Sequence, residues 1–319
     1  NNNTLSVKLL DYIIRRVAFV PIIFLGLTAL VFVLLQLSPV DPVVASLGET
    51  PVDAETIQEM REKLGLDQPI YVQYLKYLDR IIRGDLGKSL ISNRPVTSEL
   101  SYAIPFTLQL TSAALLWAIV IGLPIGILSA IKQYSLIDQV SRIFAVIGVS
   151  TPSFWLALLL ILIVGFNLGI LPLSGTGGIE YLILPSLTLG LIDAGVIVRL
   201  VRSSMLEILR EDYITVAYAK GLKNRTVVIR HALRNALIPF VTMIGIQFGT
   251  LLSGSFLVEA VFSWPGLGRL ALVAIDSRDY PLITGAVLIT SIAFVMANLI
   301  VDVLYAYIDP RIRYGKGED

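Results

Sequence analysis

The stretch that decides how the chain is organised reads Glu211-Asp212-Tyr213-Ile214-Thr215-Val216-Ala217-Tyr218-Ala219-Lys220-Gly221, then runs through Arg225 and Arg230-His231-Ala232-Leu233-Arg234 to Pro239. Two acids open it, a lysine closes it and a glycine follows. That charge order complements the helix dipole, and the glycine suits a helix C-cap. A second amphipathic helix is expected over residues 225–237, turning Arg230, His231 and Arg234 towards phospholipid headgroups, with Pro239 starting the next apolar run. Links between helices usually need only a few residues, so this length and charge describe an element in its own right. Periodicity leaves two readings: a handle projecting towards a second protein, or a helix pair lying on a membrane surface.

Outward from this stretch the chain turns apolar. Of its 319 residues 55% are hydrophobic and only 15% charged, with a mean hydropathy of +0.78. Soluble domains carry nearer a quarter charged residues, so this chain expects lipid. A bilayer core of about 30 Å takes roughly 20 apolar helical residues. Six runs qualify: 17–37, 106–131, 143–170, 183–201, 236–262 and 281–308. The first follows Arg15-Arg16 like a signal peptide, but it is too long for one and no small-residue cleavage site follows, so a retained span is expected. Pro124, Pro152, Gly245, Gly249 and Gly254 fall inside the runs, where neighbouring helices can satisfy the freed backbone.

Lysine and arginine give the orientation. Sixteen lie on one side, at the N-terminus, around Lys132 and Arg142, through Arg199 to Arg234, and at the C-terminus; the short loops opposite hold only Arg269 and Arg278. Both termini are therefore expected in the cytosol and residues 38–103 outside. That outer segment is expected to be helical: one helix starts at Pro51 and stops at Gly65, with Ile57, Met60 and Leu64 on its face. A second runs over residues 68–83 with Tyr71, Leu75, Leu78 and Ile82 as the stripe that covers something. The expected organisation is a tail and first span (1–37), an extracytoplasmic helical segment (38–105), a five-span core (106–308) holding a cytosolic loop (205–237), and a cytosolic tail (309–319).

Catalytic chemistry is hard to find. Gly87-Lys88-Ser89 resembles the end of a phosphate loop, but Ile82 stands where the motif needs its first glycine and no strand precedes it. There is no cysteine, His231 is the only histidine, and no metal-ligand spacing surrounds it. A net charge of +1 gives no reason to expect nucleic acid. Ionisable residues inside spans point to function. Asp193, near the middle of the fourth run, is the candidate for a water-filled path, against the alternative of an inter-helix hydrogen bond. Glu259 and Asp302 are expected at interfaces, where water helps.

Several motifs together carry a family resemblance. Ala217-Tyr218-Ala219-Lys220-Gly221-Leu222 with Arg230-His231-Ala232-Leu233-Arg234-Asn235-Ala236-Leu237-Ile238-Pro239 resembles the coupling loop of ABC importer permeases, in particular the B-type permease of dipeptide, oligopeptide and nickel importers. The general loop opens Glu-Ala-Ala; here Thr215, Val216 and Ala217 stand there, so only the alanine and Gly221 match. Ser38-Pro39-Val40-Asp41-Pro42, Arg83-Gly84-Asp85-Leu86-Gly87-Lys88-Ser89, Pro152-Ser153-Phe154-Trp155, Val261-Phe262-Ser263-Trp264-Pro265-Gly266-Leu267-Gly268 and Arg278-Asp279-Tyr280-Pro281 extend the match along the chain.

The resemblance implies an all-α, multi-pass protein of the bacterial inner membrane with the type I importer fold. It implies import of peptides, with nickel chelates or oligosaccharides as alternatives; a stand-alone ion-coupled carrier is the remaining class. Partners would be a homologous second permease, two cytosolic ATPases that carry ATP and magnesium, an extracytoplasmic solute-binding protein and membrane lipid. Asp212, Tyr213, Thr215, Val216, Ala217, Lys220, Gly221, Leu222 and Arg225 would couple to an ATPase. Asp193, Ser153, Gly249 and Ser253 would line the path, and Trp264, Pro265, Gly266 and Asp85 would form an outer gate or partner contact.

Overall fold

The computed structural model describes residues 18–33, 36–37, 58, 62 and 67–308, with side chains to residue 301. The expected helix over residues 51–64 (positions 58 and 62 apart), the Ser38–Pro42 motif, both termini and the Asp302 side chain lie outside the described residues. Among those described, every regular element is a helix, and a lone β-bridge joins Lys88 to Pro95. In chain order the elements are α1 (Ala18–Val33), α2 (Ile70–Ile82), α3 (Val96–Ile131), α4 (Leu136–Ser150) and α5 (Ser153–Leu160). After them come α6 (Glu180–Ile208), α7 (Asp212–Ala219), α8 (Asn224–Gly254), α9 (Phe256–Val261), α10 (Leu267–Asp276) and α11 (Tyr280–Ile308).

Four helices, α3, α6, α8 and α11, are long and apolar enough to cross a bilayer, and α1 is a shorter apolar helix. The third expected span is not one straight helix. α4 and α5, which widens into a π turn over Ile161–Asn167, meet at 107°. The cause is Pro152: proline pushes the preceding residue out of the helical region, and Thr151 is extended at ψ 125° while Pro152 itself has ψ 134°.

The fifth span also differs from its expected bounds. The expected surface helix over residues 225–237 is the beginning of α8 itself, widened into a π turn over Val227–Ala232, and Pro239 lies inside the helix instead of opening it. A proline costs a helix one backbone bond, and packing within a membrane bundle tolerates that. At the other end α8 stops at Gly254, and residues 256–261 form the separate helix α9.

The helices enclose three stacked apolar clusters along α3. One, at the α7 end, gathers Ala130, Ile197, Val201, Met205, Ile214, Ala217, Val227 and Val228. The next centres on Leu110, Leu184, Val258, Phe262 and Trp264. The last joins Val96, Leu100, Leu267, Ala274 and Leu282 at the end opposite α7. α3 and α6 approach so closely that small residues are obligatory. A Cβ on Gly126 would sit 2.9 Å from Val201 Cβ, and one on Gly190 would sit 2.5 Å from Trp117 Cβ. Such small-residue seams replace the missing hydrophobic drive between helices in lipid.

α2 packs with a different face from the one expected. Tyr74 and Tyr77 stack on Phe32 of α1 at 5.4 and 5.6 Å, and Ile81 is buried with them. The stripe assigned to coverage stays open: Tyr71, Leu75 and Ile82 are each at least 60% exposed. The periodicity located an apolar stripe, but aromatic contacts with α1 chose the adjacent one.

Candidate functional site

α7 is a short helix held on a rigid base. Its end is a Schellman turn: the Gly221 amide donates to the Tyr218 carbonyl at 2.9 Å and the Leu222 amide to the Ala217 carbonyl at 3.3 Å. Gly221 has φ +78°, and a Cβ there would meet nothing within 4 Å. The demand for glycine is thus purely conformational.

Ile214 and Ala217 turn into the cluster formed with Met205 of α6 and Val227 and Val228 of α8. Asp212, Tyr213, Thr215, Val216, Lys220, Gly221, Leu222 and Arg225 are exposed. Ala217, assigned to the coupling surface from its place in the motif, is 7% exposed and packs inward instead. Two tyrosines fasten the element to α8: Asn235 Nδ2 donates to Tyr213 Oη at 2.8 Å, and Tyr218 Oη donates to Asn224 Oδ1 at 2.7 Å.

Beside this base lies a buried ion pair that the sequence reading missed. The Asp138 side chain is fully buried on α4. It accepts from Arg202 Nε at 2.6 Å and from a second guanidinium nitrogen at 2.9 Å, so the pair is bidentate. Ser129 Oγ and the Tyr134 amide complete its shell at 2.7 and 3.0 Å. One carboxylate thereby joins α3, α4 and α6. The local signal was present: Ser135 three residues before Asp138 is a capping pattern, and Ser135 does cap α4. The partner, 64 residues on, carried no local signal.

Midway along the bundle, Gln247 of α8 donates to Asp193 Oδ1 of α6 at 2.7 Å. The second oxygen, Oδ2, is buried without a hydrogen-bond partner. Asp193 thus makes the inter-helix hydrogen bond while retaining an unused acceptor. The other path candidates do not gather around it. Gly249 faces Phe294 and Ala297 of α11 at ordinary contact distance. Ser253 is exposed on the last turn of α8. Ser153 is half-buried just past the Pro152 bend. Gln247, a polar residue inside an apolar run, was the signal overlooked.

At the end opposite α7, Glu259 overturns its expected interfacial, water-assisted setting: it is 0% exposed. Its Oε1 accepts from Thr107 Oγ1 at 2.8 Å and Ser255 Oγ at 2.9 Å. Its Oε2 accepts from the Gly268 and Arg269 amides at 2.7 and 3.1 Å. Those amides open α10, whose N-cap is Gly266 with no side chain to offer. The first turn of any helix leaves such amides unpaired, and a carboxylate suits them. Thr107 Oγ1 also accepts from the Leu267 amide at 2.8 Å.

The Trp264-Pro265-Gly266 motif belongs to this knot. Trp264 is 4% exposed, its indole donating to the Phe106 carbonyl at 2.9 Å, and Gly266 is buried against the carboxylate. Neither is a free contact surface. Asp85 is exposed and accepts from the Gly87 amide at 3.0 Å. The phosphate-loop mimic has a structural use: Ser89 Oγ donates to Asp279 of the Arg278–Pro281 motif, tying the segment before α3 to the start of α11.

Two family models match the chain. Residues 122–314 match the binding-protein-dependent transport system inner membrane component, and residues 9–111 match the N-terminal membrane component of the same systems. The glutathione transport system permease protein GsiC of Salmonella typhimurium is 45% identical over 306 residues, covering 96% of this chain and 100% of that protein. Its Escherichia coli K12 counterpart is 44% identical over 307 residues with the same coverage. Among solved structures, the inward-facing MetNI methionine ABC transporter aligns with a TM-score of 0.55 at 22% identity, over 66% of this chain and 96% of that one. An amino acid ABC transporter with histidines aligns at 0.52 and 19%, over 67% and 94%. These structures share the fold. The chain belongs to the binding-protein-dependent transport system inner membrane components, and is a permease subunit of an ABC importer of the inner membrane.

Proposed function

We propose that this subunit imports peptide-like substrates, glutathione or other short peptides, and that α7 is the helix through which ATP binding elsewhere moves the path. The observation that carries the substrate class is 45% identity along 96% of the chain to a glutathione permease. The architecture supports the coupling role. α7 exposes a polar and apolar surface, from Asp212 through Val216 to Lys220, while Ile214 and Ala217 grip α6 and α8. A push on α7 therefore reaches both helices, which meet again at the Asp193–Gln247 bond. That bond lies 12 residues before Met205 on α6, about 18 Å along the axis.

In this reading both termini are cytosolic and the chain encloses half of a path with a homologous second permease. Two ATPase subunits, which hold ATP and magnesium, each receive one coupling helix, and an extracytoplasmic binding protein presents substrate at the end where Glu259 and Trp264 lie. Closure of the ATPases rocks the paired permeases between two packed states. Asp193 lines the path once α6 and α8 shift, and Ser253 lies towards its outer end. Import of nickel chelates or oligosaccharides by the same architecture is the second reading.

Uptake of labelled glutathione, a dipeptide, a pentapeptide, a nickel chelate and an oligosaccharide would be compared in cells with and without this gene. Loss of glutathione or peptide uptake is expected. Intact peptide uptake with loss of the nickel chelate or the sugar would replace the substrate class.

A further inference from the structure

We infer that α2 is an interfacial helix whose stripe Tyr71, Leu75, Leu78 and Ile82 dips into the outer edge of the bilayer beside α1. The inference rests on reading α1 as a membrane span. Three faces follow one another around α2. Tyr74 and Tyr77 pack against Phe32 of α1, and Ile81, on the same face of α2, is buried. Tyr71, Leu75 and Ile82 form the open apolar stripe, with Leu78 half-buried at its border with the packed face. Lys76, Asp79, Arg80 and Arg83 are exposed on the remaining arc, with Arg83 paired to Asp79 at 3.0 Å. A helix with one apolar arc and one basic arc suits a membrane boundary.

Depth follows from α1. At helical rise the apolar run 17–37 of the sequence would span about 31 Å, close to the roughly 30 Å of a hydrocarbon core, so reading it as a span puts Leu37 near one boundary. Thr28 then lies about 13 Å inside it. Tyr74 Oη sits 3.0 Å from Thr28 Oγ1 and donates to the Leu25 carbonyl at 3.1 Å. The α2 backbone is one tyrosine side chain away from that depth, so it cannot stand clear of the bilayer.

Direction follows from Gln73, at the other side of the packed face. Gln36 Nε2 donates to Gln73 Oε1 at 2.9 Å, so Gln73 points to the Leu37 end of α1. Gln73 and Leu75 lie about 100° to either side of Tyr74. The stripe that begins at Leu75 therefore points along α1 towards its middle, where Ile23, Leu25 and Leu30 are exposed on the same helix. Lipid covers both surfaces continuously.

The chain has no cysteine, so single cysteines report cleanly. Leu75→Cys, Ile82→Cys, Lys76→Cys and Ile23→Cys would be spin-labelled in the complete importer, with any cysteines of the partner subunits removed, and reconstituted in phosphatidylethanolamine–phosphatidylglycerol vesicles. Collision with oxygen, which enters lipid, would be compared with collision with a water-soluble nickel chelate. Labels at positions 75 and 82 are expected to favour oxygen several-fold over position 76, approaching position 23. A label at 75 that reads like 76 overturns the inference while 23 still reads as lipid. If 23 reads as water, the reading of α1 as a span fails with it. Shielding of 75 from both reagents, whether always or only with the binding protein added, would make the stripe a protein contact and also overturns it.

Discussion

Each end of the bundle buries a carboxylate that joins several helices, Asp138 near α7 and Glu259 at the far end, where Asp279 is buried as well. Asp138 and Glu259 are satisfied in opposite ways. Near α7, Asp138 is held by a guanidinium from another helix. At the far end, Glu259 is held by two hydroxyls and two backbone amides, and by no cationic side chain among the described contacts; the Arg269 guanidinium donates instead to the Ser263 carbonyl at 2.7 Å. An ion pair between α4 and α6 is a joint between two rigid bodies, which can separate only if both charges find new partners. The Glu259 knot ties residues of α3, α9 and α10 to a helix start whose amides cannot move apart. The α7 end is therefore built as a joint and the opposite end as a clamp.

Breaking the joint on one side should cost most. Arg202→Ala leaves Asp138 buried with only the more distant, half-exposed Arg142 at 3.9 Å, a loss of up to about 3–5 kcal/mol. Thermal unfolding of the purified subunit complex in detergent would read it as a large fall in midpoint, and Asp138→Asn combined with Arg202→Met should recover most of it. A single-variant midpoint equal to wild type would mean that Asp138 reaches water and the joint is not buried.

The clamp ranks next. Glu259→Ala removes the acceptor for four donors and should cost on the order of 3 kcal/mol, with Glu259→Gln less damaging because one oxygen remains. Hydrogen exchange at the start of α10 would rise in the alanine variant before exchange in α3 does. Equal exchange throughout would show that the amides of Gly268 and Arg269 have another partner and that the two ends do not differ as described.

Gly221→Val tests the handle on the joint. With open space around the glycine, the only penalty is a β-branched residue at φ +78°, about 1–2 kcal/mol. The variant should assemble, hydrolyse ATP and fail to couple hydrolysis to uptake in vesicles. Normal coupled uptake would detach α7 from the drive.

The sequence made the apolar runs, the polar element between α6 and α8, and Gly221 legible, because each is written in neighbouring residues: hydropathy over some 20 positions, charge order over about ten, a glycine after a lysine. What stayed hidden is assembled across the chain. Glu259 looked interfacial because it stands near the end of an apolar run; its donors come from Thr107 and from an α10 start that only the fold brings there. Pro152 and Pro239 look alike in sequence, yet one bends a span by 107° and the other lies within a continuous helix. The difference is their neighbours: Thr151 takes up the extended backbone, whereas Ile238 stays helical inside α8. For α2, the periodicity pointed to Tyr71, Leu75, Leu78 and Ile82, whereas Phe32, far back in the chain on α1, drew in the adjacent Tyr74 and Tyr77.

Between joint and clamp, Asp193 is the carboxylate that neither end resembles, with one oxygen bonded to Gln247 and the other unused. A residue kept only for packing would do as well with an amide. An asparagine side chain in its place could still accept from Gln247, and it would no longer bury a carboxylate short of donors. Asp193→Asn should therefore change stability by less than about 1 kcal/mol. Its effect should instead appear in transport, because a path residue with an open acceptor interacts with the charge of whatever passes. Uptake of neutral, cationic and anionic peptides of one length, measured side by side, should change in proportion to substrate charge in both Asp193→Asn and Asp193→Ala. Uniform uptake in both variants would return Asp193 to a helix-pairing role and leave the path to be sought on the exposed faces of α5 and α8.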